Sequence, residues 1–295
     1  MSASPLLSRR SMVKAAPASL LLGLAAPALA EAPSRFARLE ASSGARIGVA
    51  GLDTGTGAQI AHRATERFAF CSTFKVLAVS AVLKKSERDP HLLARWIGFS
   101  ERGLLPYAPV ARRHLGAGMT VLELCSAAIE WSDNTAADLI LKLLGGPGAV
   151  TAYARSIGDR TFRLDRTEPS LNIVVPGQTS DTTSPAAMSA DLRGLLLGDL
   201  RGDLLHPRQR DLLTGWMRAC RTGLQRIRAA APAGSVVADK TGTWTGRYNA
   251  AGDIAVIQPP RRAPIVLSVY TAGQRRGSQD ALIAAAAKVA FAALA

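Results

Sequence analysis

Ser72 and Lys75 stand three residues apart in Ser72-Thr73-Phe74-Lys75, within an apolar run from Phe68 to Leu83 whose only formal charge is Lys75. In a helix this spacing puts a hydroxyl and an amine on one face, within a turn of each other. An amine held among apolar side chains loses hydration, which lowers its pKa toward a value at which it can take a proton from serine. A helix N-terminus adds partial positive charge beside the hydroxyl. The chemistry implied is nucleophilic, a serine activated by a nearby base. Alone the tetrapeptide says little, since Ser11 to Lys14 fits the same pattern by chance.

Three further clusters give it weight. Ser132-Asp133-Asn134 falls in a turn between two helical stretches, where such residues commonly serve as caps, and Asn134 could be cap and ligand together. Lys240-Thr241-Gly242 comes late in a β-prone run, where glycine lets another group approach the backbone and lysine supplies a fixed cation. Glu168-Pro169-Ser170-Leu171-Asn172 belongs to a long irregular segment from Arg166 to Pro185, punctuated by Pro169, Pro176, Gly177 and Pro185. Loops of that length are usually functional or disordered. A carboxylate at 168 and an amide at 172 could hold one water between them, the first as general base and the second as positioner.

The elements that must position these groups can be read from periodicity and punctuation. Arg46 to Leu52 and Gln59 to Ala64 are β-prone runs around Asp53-Thr54-Gly55-Thr56-Gly57, a hairpin signal. Phe68 to Leu83, apolar on all sides, predicts a buried helix. Thr120 with Glu123 forms a capping box ahead of Leu124 to Ile129. Asn134 to Leu144 is a second helix of the middle region, stopped by Gly145-Gly146, and Pro147 opens another at its first turn. Strand signals return in Ser235 to Thr243, Asp253 to Gln258 and Pro264 to Thr271. A last Ala-rich helix, Gln279 to Ala295, follows Ser278 and carries Asp280 in its first turn. Strands from both ends around a helical middle predict an α+β, three-layer fold. Its antiparallel sheet is built from N- and C-terminal strands with flanking helices, an all-α lobe is inserted, and a cleft opens between the two parts.

The chain has 295 residues, enough for a sizeable core, with 48% apolar and 20% charged residues. That composition excludes long disorder and collagen-like repeats. The formal charge is +14; three of its cations (Arg9, Arg10, Lys14) and no carboxylate lie in the first 30 residues, so the remainder carries +11. The arginines are scattered singly without interleaved aromatics, which argues against nucleic-acid binding. Cys71, Cys125 and Cys220 cannot all pair with one another and are not spaced as zinc or redox motifs. His62, His91, His114 and His206 are equally isolated, so no metal site is implied.

Residues 8 to 14, Ser-Arg-Arg-Ser-Met-Val-Lys, precede a mostly apolar stretch from Ala15 to Ala30 that ends Ala28-Leu29-Ala30. A charged n-region, a short apolar h-region and an A-x-A site form an export signal, and the paired arginines resemble the twin-arginine type. Sixteen residues are too few for a comfortable permanent span, so no stable membrane anchor is expected. The mature chain should begin near Glu31 in a periplasmic or secreted setting.

In order, the four motifs are separated by 60, 36 and 72 residues. As a set they resemble the class A serine β-lactamases, from about Arg35 to the C-terminus. The resemblance implies a two-lobed molecule: an α/β lobe from 31–68 and 216–295, and an all-α lobe, 69–215, that carries the nucleophile and the Ω-loop, with 1–30 as the export signal. It also implies hydrolysis of penicillins and cephalosporins through a serine ester by a monomer that needs no metal or organic cofactor. Ser72 would attack, with Lys75 or Glu168 as its activator, and Glu168 with Asn172 would direct the deacylating water. The backbone N–H groups of Ser72 and Thr243 would form the oxyanion hole. Ser132 would relay a proton to the lactam nitrogen, Asn134 would hold the substrate's side-chain amide, and Lys240, Thr241, Gly242 and Thr243 would line the carboxylate site. Tyr107 matches the aromatic at the cleft mouth. Arg166 and Asp181 match the ion pair that closes the Ω-loop, and the Glu168-Pro169 bond is often cis in relatives.

Two departures stand out. Trp244 occupies a position where relatives commonly have a small residue, and Thr245 to Gly252 is about two residues longer than in relatives. Arg247 is the candidate for the arginine that meets a substrate carboxylate. Cys71 precedes the nucleophile, but no cysteine follows Lys240-Thr241-Gly242 to bridge it. The competing readings are a cell-wall D,D-peptidase or penicillin-binding protein, which would lack the Glu168 to Asn172 segment, and a β-lactam sensor, which would carry a membrane or signalling segment.

Overall fold

Alternation along β9 (Ile265–Ala272) sends Leu267 and Val269 to one face of a sheet and Val266, Ser268 and Tyr270 to the other, and all five are buried. A strand covered on both sides must be central, and in the computed structural model, which describes residues 25–198, 204–273 and 278–295, it is. The other strands of its sheet are β1 (Arg46–Asp53), β2 (Gln59–His62), β7 (Val236–Trp244) and β8 (Ala250–Gln258), in the order β2-β1-β9-β8-β7, antiparallel throughout. In the β1–β2 turn Asp53 Oδ1 accepts from the amides of Gly55 and Thr56 at 2.8 and 3.0 Å.

On one face lie α1 (Ala25–Ser43) and α9 (Gln279–Ala293), which pack Ala32, Phe36, Ile283 and Ala287 onto Ile47, Val49, Leu267 and Val269. On the other lie α6 (Pro185–Leu192) and the helices between the first strands and the last. These are α2 (Lys75–Ser86), α3 (Val121–Glu130), α4 (Asn134–Leu144), α5 (Pro147–Ser156) and α7 (Pro207–Arg218), while the short α8 (Ile227–Ala230), which precedes β7, packs Ile227 into the core on the α1 and α9 face. Two-stranded ribbons, β3 (Phe68–Ala69) with β6 (Thr182–Thr183) and β4 (Trp96–Ile97) with β5 (Met119–Thr120), tie the irregular segments down. The expected α+β architecture is present.

Local signals hold where a side chain meets its own backbone. Thr120 and Glu123 form the reciprocal capping box of α3, and α4 ends at Gly145, whose φ of 98° is open to glycine. Three expectations are corrected. α1 covers the end of the expected export signal, 25–30, and a following stretch with no assigned element: Pro33 lies inside it, and burial of Ala32 and Phe36 offsets that break. The helix expected from Phe68 begins only at Lys75, because Phe68 and Ala69 pair with β6 and Cys71–Phe74 form a 3-10 turn. The last helix closes at Ala293. The N-terminal charged residues, Arg9 to Lys14, lie outside the described residues.

Candidate active site

Ser72 sits in the 3-10 turn that hands over to α2, and Lys75 is the first residue of that helix. A tight turn and a helix start put both side chains on the inner wall of the groove between β7 and the helices. Lys75 is fully buried. Its Nζ donates to Ser132 O at 2.8 Å, to Asn134 Oδ1 at 2.6 Å and more weakly to Ser132 Oγ at 3.4 Å, and it lies 3.2 Å from Glu168 Oε1. Burial lowers its pKa, and the Glu168 carboxylate opposes that shift. The Ser72 hydroxyl donates to the same Glu168 oxygen at 3.4 Å.

Ser132-Asp133-Asn134 does form the turn between α3 and α4, with the roles redistributed. The cap is Asp133, whose Oδ1 accepts from Ala136 N and whose Oδ2 accepts from the amides of Val110 and Ala111, all at 2.9 Å. Asn134 is left free to face Lys75, while its amide holds Tyr107 O at 2.9 Å. Ser132 has a φ of 58°, uncommon for a residue with a side chain, and this conformation accompanies the contact of its carbonyl with Lys75.

From the far wall, β7 brings Lys240. Its Nζ donates to Ser132 Oγ at 3.0 Å, so the two buried lysines flank one hydroxyl. Burial lowers Lys240 to about 7, helped by the nearby Lys75 charge. Gly242 explains how close the strand can come: a Cβ there would lie 2.4 Å from Phe70 O and 2.9 Å from Ser72 N. Only glycine lets the β7 backbone approach the Ser72 amide.

The loop supplies the third wall. The Glu168-Pro169 bond is cis, and Ser170–Asn172 form a 3-10 turn. Asn172 Nδ2 donates to Glu168 Oε2 at 2.5 Å, and both residues are buried. Asn172 Oδ1 is buried without a protein partner, which leaves it able to accept a hydrogen bond from a small molecule. Arg166 Nε pairs with the fully buried Asp181 at 2.5 Å, and Asp181 Oδ1 accepts from the amides of Asp165 and Arg166.

The cleft between these walls has a volume of about 340 Å³ and is lined by Ser72, Tyr107, Ser132, Asn134, Pro169, Asn172, Thr222, Thr241, Gly242, Thr243 and Trp244. That is within the usual range for a small-molecule site. Tyr107 stands half-exposed at the mouth. Arg247 is not brought in: it is exposed in the turn after β7 and does not line the cleft. The arginine that reaches this region is Arg226, buried behind β7. It donates to Gly242 O (2.9 Å), Gly252 O (2.7 Å) and Thr243 Oγ1 (2.6 Å), and it pairs with Asp280. Thr222, whose Oγ1 is 2.5 Å from Thr241 Oγ1, was equally unmarked in the sequence. So was Asp138, whose Oδ1 accepts from Glu168 N at 3.0 Å. Its signal was available, since it follows Asn134 by four residues on one helix face. All three cysteines are free and buried, and among the described residues no group of three or more His, Cys, Asp or Glu could hold a metal.

Ser72 facing a buried loop carboxylate, with the Ser132 hydroxyl between two buried lysines beside an antiparallel sheet edge, is an arrangement suited to acyl transfer through serine. Residues 31–294 match the profile of the β-lactamase enzyme family. The carbapenem-hydrolyzing β-lactamase KPC of Klebsiella oxytoca is 45% identical over 274 residues, 92% of each chain. β-Lactamase CTX-M-8 of Citrobacter amalonaticus is 46% identical over 286 residues, 95% of this chain and 96% of its own. Among solved structures, a β-lactamase from Burkholderia phymatum superposes with a TM-score of 0.86 at 47% identity, covering 91% of this chain and all of that one. The reconstructed last common ancestor of Gram-negative class A β-lactamases gives 0.85 at 49%, covering 90% and 100%. The chain belongs to the β-lactamase enzyme family, and it is a class A member, a serine hydrolase of the β-lactam amide bond.

Proposed function

We propose that this enzyme hydrolyses penicillins and cephalosporins in two steps, with each side chain of the cleft in a defined role. In acylation Ser72 Oγ attacks the lactam carbonyl carbon, the C–N bond of the ring breaks, and the serine proton leaves as the ester forms. Glu168 receives that proton: its Oε1 is the acceptor that the Ser72 hydroxyl faces, while Lys75 directs its N–H groups at Ser132 O, Asn134 Oδ1 and Glu168. Lys75 thus holds the carboxylate and the Ser132 turn in register. Ser132, between Lys75 and Lys240, passes a proton to the departing nitrogen and is resupplied from Glu168 through Lys75, which restores the carboxylate before deacylation.

The tetrahedral oxyanion is met by the amides of Ser72 and Thr243, a reading supported by the tight approach that Gly242 permits. In deacylation Glu168 takes a proton from a water held with Asn172, the hydroxide attacks the ester carbonyl, and the C–O bond to Ser72 breaks as the serine oxygen takes that proton back from Glu168. Asn134 and Tyr107 bind the substrate's acyl side. Lys240, Thr241 and Thr243 bind its carboxylate, with Arg226 positioning Thr243 in the place first given to Arg247.

The observation that carries this reading is the convergence of Ser72, Lys75 and Glu168 on one oxygen, Oε1, in a buried corner of an open cleft. The test is stopped-flow hydrolysis of nitrocefin with mass spectrometry of the quenched enzyme. Rapid turnover, with an adduct on Ser72 that accumulates in Glu168→Gln, supports the assignment; a long-lived adduct on the unmodified enzyme would point to a D,D-peptidase instead.

We further read the protein as a monomer exported after cleavage near Ala30. This is supported by Ala32 and Phe36, the α1 residues that anchor the helix, lying beyond the cut, and by Leu29 being 43% exposed. Among the described residues no helix is long and apolar enough to cross a membrane. The division into an α/β lobe (31–68 and 216–295) and an all-α lobe (69–215) fits the sheet order and the two apolar cores, with α6 bridging the lobes by packing on β1 and β9. N-terminal sequencing and sedimentation of the periplasmic protein test both statements.

A further inference from the structure

Behind the Ω-loop, away from the cleft, lies a second cavity of about 520 Å³, larger than the cleft itself. Its walls are the loop's rear surface, the start of β1, the approach to β3, Tyr248 in the turn before β8 and the end of β9. Its apolar side is unusually open: Ile173 (48%), Val175 (53%) and Tyr248 (40%) are among the most exposed large apolar residues of the chain. Apolar surface of that kind grouped around a cavity marks a binding site more often than chance exposure does.

Its polar side carries a charge imbalance. Of the three cations on its wall, Arg46 is paired with Glu66 at 3.1 Å and Arg166 with Asp181. Arg67 has no carboxylate within ion-pair distance among the described residues. It is instead held by two neutral acceptors, Thr161 O at 2.8 Å and Thr182 Oγ1 at 3.0 Å. These fix the guanidinium without neutralising it. A positioned, uncompensated arginine beside exposed apolar side chains is complementary to one class of molecule, a small carboxylate with an apolar body.

We propose that this cavity is a second ligand site, for an amphipathic carboxylate anchored by Arg67 and covered by Ile173, Val175 and Tyr248, and that its occupation alters deacylation. The coupling is structural. Leu171 reaches this cavity from the same 3-10 turn that presents Asn172 to Glu168, and Arg166, which closes the loop, lies on the cavity wall and donates to Ile173 O at 3.1 Å. A ligand here presses on the back of the turn whose front holds the water-activating pair. The coupling rests on the roles given above to Glu168 and Asn172. Binding does not, so the two can fail separately.

The probe is octanoate, with 1-octanol as its neutral counterpart. Titration followed by amide chemical shifts should show saturable octanoate binding, with the largest changes in 171–182 and at Tyr248, and at least tenfold weaker binding of octanol. Arg67→Met should weaken octanoate at least tenfold. Tyr248→Ala, in the turn before β8 and outside the loop segment, should weaken it at least threefold and keeps the test independent of any disturbance around Arg67. Saturating octanoate should change the deacylation rate at least threefold without competing with nitrocefin. Absence of saturation at millimolar concentration, shifts centred on Ser132 and Thr241, or equal binding by the two variants overturns the site; binding with an unchanged deacylation rate overturns the coupling.

Discussion

The Nζ of Lys75 lies 3.2 Å from Oε1 of Glu168, and neither side chain has any exposed surface. A buried pair of this kind is costly to assemble and persists because each ion is also hydrogen-bonded, Lys75 by Ser132 O and Asn134 Oδ1, Glu168 by Asn172. Glu168→Gln keeps a carbonyl acceptor for Lys75 and removes the base. The deacylation rate should drop by about 10²–10⁴, the usual worth of a positioned general base, and further than acylation, for which Lys75 is a second activator, so that the acyl-enzyme becomes the dominant species in mass spectra of quenched reactions. Turnover of the variant at the parent rate would remove Glu168 from the mechanism.

Lys240 gives the cleft a pH response. Because burial lowers its pKa to about 7, the free enzyme offers a cation to an anionic substrate below that pH and loses it as pH rises. The ratio kcat/KM for benzylpenicillin, which reports free-enzyme ionisations, should therefore decline above about pH 7, by no more than tenfold per unit. Lys240→Arg keeps its charge throughout and should abolish that limb of the profile while lowering its height. A limb of the same midpoint in the arginine variant would assign it to another group.

What could be read from the sequence divides by distance along the chain. Ser72, Lys75, Ser132, Glu168 and Lys240 were legible because their motifs are compact and fall in a fixed order, and Thr120 with Glu123 because a capping box is complete within four residues. Asp133 took the capping role from its neighbour because its second oxygen also satisfies the amides of Val110 and Ala111, partners more than 20 residues away. Arg226 was invisible for the same reason: its acceptors on β7 and β8 are brought to it only by strand pairing. Arg247 failed because charge and proximity in sequence do not say which way a lengthened turn projects. Phe68 and Ala69 read as helix by hydrophobicity, yet their backbone groups are satisfied by β6, a partner that no local pattern announces.

Asp138 sits on α4 beneath the catalytic loop and accepts from Glu168 N. Burial raises its carboxyl from 3.8 to about 6, with the Glu168 charge adding to the shift. Between those values the unfolded chain has released its proton while the folded chain keeps it, so this group makes stability fall as pH rises through that interval and leaves it lower above. Asp138→Asn keeps the accepting oxygen and has nothing to titrate. Melting temperatures of the two proteins should be closest near pH 4 and separate in favour of the variant by pH 7. A constant difference across that range would show that the carboxyl is not held in this state.

Arg166 and Asp181 close the loop that carries Glu168. The pair is not a surface ornament, since Asp181 is fully buried, adopts a φ of 54° and also accepts from the amides of Asp165 and Arg166. Asp181→Asn keeps an accepting oxygen for those amides but loses the charge that holds the guanidinium. The loop should then relax outward at Ile173, whose carbonyl shares the same arginine. A displacement of Glu168 by about 1 Å can cost roughly 100-fold in rate. That loss should be largest in deacylation, where carboxylate, water and ester must all align; acylation, which also uses Glu168 as proton acceptor, should slow less because it needs no positioned water. Burst and steady-state phases of nitrocefin hydrolysis separate the two rates. Equal slowing of both would mean that the pair supports the whole cleft, and an unchanged deacylation rate would mean that the loop holds its shape without it.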